Sequence, residues 1–109
     1  MNADQPNDLF DRVRTFEWDN EKFEANLRSH EIDFRDARWI ISGPTIVRRS
    51  DRQEEVRYMV FGFIGDKEVV VICTLRDEVC RLISARRARR DERKKYHSRL
   101  PRRPAEGQD

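Results

Sequence analysis

Cysteine, histidine and long apolar runs are all scarce in this chain, and each scarcity excludes something. Two cysteines in 109 residues cannot build the dense disulfide framework of small secreted domains. If "LRDEVC" turns a hairpin, Cys80 faces residue 75 or 76 and not Cys73, so both are expected as reduced thiols. The two histidines, His30 and His97, share no metal-ligand spacing with them. Neither a structural zinc nor any other cofactor is expected. No apolar stretch approaches the ~20 residues needed to span a bilayer, and the start lacks the basic-then-apolar pattern of a secretory signal. The expected location is the cytoplasm, with no membrane contact.

What the chain does have is charge, unevenly placed. Charged residues make up 40% of it and apolar residues 37%, yet the formal net charge is only +2. Residues 1–80 carry 12 basic and 17 acidic side chains, net −5, whereas residues 81–109 carry 11 and 4, net +7. All of those basic residues fall in "RLISARRARRDERKKYHSRLPRRP", 81–104. Such asymmetry belongs either to a solvated cationic tail or to a surface for a polyanion.

The apolar residues concentrate between Phe10 and Leu82. One domain over 10–100 is expected, with residues 1–9 and 101–109 disordered because neither end shows periodicity. "VRTFEWD" alternates weakly, as a short strand does. Asp19 then stands where an N-cap belongs, ahead of a helix in "NEKFEANLRSH", and Asp33 stands likewise ahead of "FRDARWIIS", which Gly43-Pro44 closes. "IVRRSDRQEE" is polar and reads as a loop. "EVRYMVFGFIG", "EVVVICTLR" and "CRLISAR" are three strands whose connections are too short for anything but antiparallel neighbours. A last helix runs from about Arg89 to Leu100, with a thin apolar stripe of Ala88, Tyr96 and Leu100. The predicted class is α+β, in the order β-α-α-β-β-β-α, with helices on an antiparallel four-stranded sheet. "YMVFGFI" and "VVVIC" are apolar on both faces, so the face opposite the helices needs a cover. Either the last helix folds back over it or a partner protein does.

A set of residues in order gives the chain a family resemblance. "FEWD" is followed by Lys22, Asn26 and His30, then Phe34 and Ala37, then Glu55-x-Arg57, "VVVICTLR", "RLISARRA" and "ERKKY". From Phe16 to Tyr96 this resembles the BrnT family, the toxins of bacterial type II toxin–antitoxin pairs. The resemblance implies a small RelE-like domain and a metal-free endoribonuclease that inhibits translation by cutting RNA. It also implies a cognate antitoxin, a ribbon-helix-helix dimer through which alone operator DNA is bound. Three positions depart from the family's pattern. Ser29-His30-Glu31 replaces a "KHG" whose glycine suits a left-handed helix C-cap. Gly43-Pro44 replaces an acidic-proline pair, and Arg89 replaces the Thr of a capping box with Glu92. The alternative function is a degenerate toxin that still binds antitoxin or RNA without cleaving.

Metal-free RNA cleavage needs a group to take the 2′-hydroxyl proton and cations to stabilise the phosphorane. Arginine suits the second task because its planar fork binds phosphate oxygens and stays charged. With a two-residue turn at Asp77-Glu78, Thr74, Arg76 and Arg81 share one sheet face; a three-residue turn sends Arg81 to the other. Arg57 and Arg86 stand at family positions and complete the catalytic set with His30 and Glu17. Each has a plainer reading, an ion pair for the arginines and Glu17, a helix cap for His30. Lys22, Asn26 and His30 recur every four residues on one helical stripe. Lys22 and Asn26 are expected to bind RNA, as are Arg87, Arg93 and Lys94, the last two by unspecific phosphate attraction.

Overall fold

The computed structural model describes residues 8–43 and 45–99. After a turn in which Leu9 and Phe10 pack against the core, β1 (Thr15–Trp18) leads into α1 (Asn20–His30). Asp19 starts that helix by accepting from the amides of Glu21 and Lys22 at 2.8 and 3.3 Å. Glu31 ends it in the left-handed conformation, φ 59°, its N–H returning to the Leu27 carbonyl at 3.0 Å. The glycine-type cap is therefore kept without the glycine, at a strain of about 1 kcal/mol. Asp33 opens α2 (Phe34–Ile41) by accepting from the Arg35 amide at 2.7 Å. The guanidinium of Arg35 also grips that carboxylate and holds it below its usual range. α2 stops at Ser42; Pro44, half of the expected stop signal, lies outside the described residues.

The stretch read as a loop begins with a strand, β2 (Ile46–Arg49). Its polar residues mislead because it is an edge strand, hydrogen-bonded only to β3 (Tyr58–Ile64). Ile46 and Val47 are buried in the two opposite cores, while Arg49 stays exposed. β4 (Lys67–Arg76) and β5 (Val79–Arg87) follow through two-residue turns. Gly65 (φ 62°) supplies the positive φ of the first turn and Asp77 (φ 54°) that of the second. The sheet order is β1-β5-β4-β3-β2, and β1 runs parallel to β5. The predicted four-stranded antiparallel sheet is thus corrected to a five-stranded mixed one. Parallel pairing needs a long connection, and everything from α1 to β4 provides it. The α+β class stands.

α1 and α2 cover one face. Phe34, Ala37, Ile40 and Ile41 pack there on Val60, Val69, Val71 and Leu82. Rings of Trp18, Phe23 and Phe34 meet at about 6 Å. Gly62 lets α2 sit directly on β3, since a Cβ there would stand 2.7 Å from Ile40 Cγ2. Cys73 and Cys80 are buried in this layer as free thiols. A hydrogen bond with Cys80, together with burial, pushes the Cys73 thiol well up.

The opposite face is covered by α3 (Arg90–Tyr96) over part of its area. Tyr96 packs on Phe61 with ring centroids 4.3 Å apart, and with Ala88 it closes a second core over Ile46 and Val70. Two helical turns reach no further, so Met59, Phe63 and Ile72 stay half-buried. A short 3-10 turn, His97–Arg99, follows. Leu100 and the expected disordered tail 101–109 lie outside the described residues, as do 1–7 of the expected disordered start. Among the described residues no helix is long and apolar enough to cross a membrane.

Candidate functional site

On the α3 side the strand registers arrange side chains in transverse rows, successive rows about 7 Å apart because side chains repeat every two residues. One row crosses β1, β5 and β4 as Glu17, Arg81 and Thr74. Arg57 extends it. The Ser50 amide donates to the Arg57 carbonyl at 2.7 Å as the β2–β3 ladder requires, and Tyr58 beside it packs in the helix-side core, so Arg57 leaves the sheet on the other side. Arg76 lies two residues beyond Thr74, beside Val79. The two-residue turn therefore holds, and Thr74, Arg76 and Arg81 share a face. Arg81 pairs with Glu17 at 2.9 Å and Arg57 with Glu55 at 2.8 Å. Arg76 is exposed and has no ion pair among the described residues. The buried hydroxyl of Thr74 donates to the Val56 carbonyl at 2.8 Å, tying the start of β3 to the row.

The next row holds Ser84, Ile72, Met59 and Arg48; the one after it holds Arg86, Val70, Phe61 and Ile46. Arg81 and Arg86 are five residues apart, an odd number that puts them on opposite faces of a regular strand. They share a face because β5 bulges at Ile83, where Cys73 faces Leu82 but Ile72 faces Ser84. The bulge does not bring them together. Arg86 stands about 13 Å along the sheet from the Arg81 row, four residues of β4 away. There it makes a two-pronged pair with Glu92 at 2.8 and 2.9 Å. The two side chains are only 16% and 11% exposed. Glu92 also accepts from the Arg89 amide at 2.8 Å. Arginine has no acceptor to return, so half of a capping box forms. The Arg86 hydrogen bond holds the Glu92 carboxyl below its usual range.

The chain from residue 18 to 92 matches the model of a family described as ribonuclease toxin, BrnT, of type II toxin-antitoxin system. The chain belongs to that family. Among solved structures it is similar to the 1.1 Å crystal structure of the Brucella abortus ribonuclease toxin, BrnT. The two share 26% identity and a TM-score of 0.55 over 72% of this chain and all of the Brucella one. No curated protein matches the chain. Membership makes it the toxin half of a toxin–antitoxin pair, and an antitoxin is its cognate partner.

The stripe of Lys22, Asn26 and His30 on α1 divides in the fold. Asn26 is 5% exposed, and its amide is fully engaged with backbone. Nδ2 donates to the carbonyls of Ile32 and Ala85, both at 2.9 Å, and Oδ1 accepts from the Ala85 amide at 3.0 Å. It stands where β1 has ended and β5 would otherwise have a bare edge, and it supplies the missing ladder bonds. No donor is left over for RNA. Lys22 and His30 are exposed one turn to either side. Since α1 starts beside Leu82 and passes Ala85 at Asn26, His30 lies at the Arg86 end of β5, away from the Arg81 row. Of the six expected catalytic residues, the fold gathers Glu17, Arg57, Arg76 and Arg81, and leaves His30 and Arg86 elsewhere. Arg87 is exposed on the opposite face to Arg86, beside Val69. Arg93 donates to the Ala88 carbonyl at 2.8 Å, and Lys94 is exposed on α3. Arg48 is not legible as a site-face residue in the sequence, because it sits in a stretch with the polar character of a loop; it lies on the site face and donates to the Tyr96 hydroxyl.

Proposed function

We propose that this chain is an endoribonuclease that cuts RNA at the Arg57–Thr74–Arg81 row and thereby stops translation. One observation carries the reading: three arginines and a carboxylate converge on a stretch of sheet that α3 leaves open. The RNA phosphate binds Arg57, Arg76 and Arg81, which stabilise the charge that develops on its oxygens. Glu17 takes the 2′-hydroxyl proton as that oxygen attacks phosphorus. The bond to the 5′-oxygen breaks, a 2′,3′-cyclic phosphate forms, and solvent at the open face protonates the leaving oxygen. An exposed ion pair such as Arg81–Glu17 contributes only about 0–1 kcal/mol, so the incoming phosphate displaces Glu17 easily, and it displaces Glu55 from the half-buried Arg57 at a somewhat greater cost. The Arg86–Glu92 pair is mostly buried and two-pronged, and breaking such a pair costs several kcal/mol. Arg86 therefore anchors α3 and does not bind phosphate, and Asn26 fixes the β5 edge. Glu31 keeps the left-handed helix end, which favours an active enzyme over a degenerate toxin despite the altered Ser29-His30-Glu31.

Arg89, Arg90, Arg93, Lys94 and Lys95 form a cationic apron that attracts RNA phosphates unspecifically. The antitoxin is a ribbon-helix-helix protein, operator DNA is bound only through it, and the pair works in the cytoplasm. To test the reading, the chain is induced alone in a bacterium and growth and total RNA are followed. Arrest with fragmented RNA is expected; normal growth with intact RNA despite soluble expression refutes the enzyme and leaves a binding module. Arg76→Ala should slow single-turnover cleavage by about 10²-fold, as loss of an oxyanion donor does, while Lys94→Ala should weaken binding and flatten its salt dependence.

A further inference from the structure

Beside the arginine row lies an open cavity of about 350 Å³, within the size range of small-ligand sites. Its floor is Met59 and Phe61 and its walls are Arg48, Tyr96, Asp91 and Lys95. Tyr96 is buried against Phe61, so the wall it provides is fixed. Asp91 and Lys95 are four residues apart and so share one side of α3. Both are exposed and neither is in a salt bridge among the described residues. Glu92, the remaining acid at the rim, is occupied by Arg86. The lining thus combines an apolar floor with charges of both signs, the Asp91 carboxylate against Arg48 and Lys95. It suits a flat group with apolar faces and hydrogen-bonding edges.

From these features we infer that the cavity is a nucleobase subsite, which rests on the ribonuclease reading and extends it to substrate choice. The Met59 row is one step, about 7 Å, from the Arg57–Arg81 row. That is the reach from a nucleotide's phosphate to its base. A phosphate held by Arg57 and Arg81 therefore delivers the attached base over Met59 and Ile72, with its edge toward α3. The polar pair at that edge is an acceptor, the Asp91 carboxylate, one turn from a donor, the Lys95 ammonium, which rests over the Tyr96 ring 5.4 Å from its centroid. Guanine offers two adjacent N–H donors to a carboxylate and oxygen and nitrogen acceptors to a cation. Uracil has a single N–H between two carbonyls that face the carboxylate badly. The subsite selects guanine over uracil.

Two readouts test this. The chain contains two methionines, Met1 and Met59, so ¹³C-methyl methionine labelling gives Met59 its own reporter without relying on cleavage. Titration with guanosine 5′-monophosphate should move the Met59 methyl saturably, uridine 5′-monophosphate less, and ribose 5-phosphate hardly at all. Equal response to all three, or a response only to added antitoxin, overturns the inference and gives the cavity to phosphate or to the protein partner. The second readout is kcat/KM on short chimeric oligonucleotides with a single ribonucleotide and each base beside it. A good two-point base contact discriminates by roughly 5- to 150-fold. Asp91→Asn should reduce the guanine-over-uracil ratio at least fivefold, whereas an unchanged ratio with uniformly slower cleavage overturns the assignment. If the wild-type chain cleaves nothing, the ribonuclease reading fails, and the Met59 titration still decides whether a base binds.

Discussion

Asn26→Ala is the substitution for which sequence and structure forecast different outcomes. As a residue on an RNA-binding stripe, Asn26 would affect affinity and little else. In the fold it satisfies the Ile32 carbonyl and both backbone groups of Ala85. Alanine leaves three backbone groups unpaired in a buried place, where each costs ~1–3 kcal/mol. Partial relaxation and entry of water bring the total to about 4 kcal/mol, a large share of the 5–15 kcal/mol that holds a typical domain folded. In urea, with a slope of ~1–1.5 kcal/mol/M for a chain this size, the midpoint should fall by roughly 3 M. Asn26→Asp sharpens the forecast. Its carboxylate still accepts from the Ala85 amide but faces two carbonyls it cannot donate to, so it should be at least as destabilising at neutral pH. It should recover as the solution is acidified and the carboxyl regains a proton to donate. Equilibrium unfolding of the three proteins decides the matter. A midpoint shift equivalent to under 1 kcal/mol, combined with a clear loss of RNA affinity, refutes the structural role and restores Asn26 to the interface.

Two further outcomes follow from the same geometry. Glu31→Gly should raise stability by about 1 kcal/mol and the melting temperature by ~4–8 °C, because glycine adopts φ 59° without strain; an unchanged or lower midpoint contradicts a strained cap. Glu92 is held below its usual carboxyl value by Arg86, so its contribution is complete above the unfolded value near 4.5 and is lost as pH falls through the lower folded value. Hydrogen exchange in α3 should therefore accelerate below about pH 4 relative to the rest of the chain, and Glu92→Gln should remove that selective acid response; a variant with the same acid profile as wild type shows that the pair does not hold the helix.

Local chemistry was legible in the sequence. Asp19 and Asp33 cap α1 and α2 because a short carboxylate beside free amides acts within three residues. The Asp77-Glu78 turn was legible only as a choice, since a two-residue turn puts Thr74 and Arg81 on one face and a three-residue turn does not, and the register settles it for two residues. Family membership was legible too, through motifs spread from Phe16 to Tyr96. The strand hidden in "IVRR" was not, because an edge strand needs only a neighbour, and its sequence is free to be polar. The role of Asn26 was not, because the Ala85 backbone it completes is 59 residues away. The side of the sheet on which Arg86 emerges was set by one extra residue, Ile83, whose bulge reverses the parity of everything after it. Its separation from the Arg81 row is strand rise over four residues of β4, while its capture by Glu92 was decided by where α3 found apolar surface to bury. Sequence spacing specifies what neighbours along the chain do, while long-range register and the competition for burial decide which of many arginines stand together.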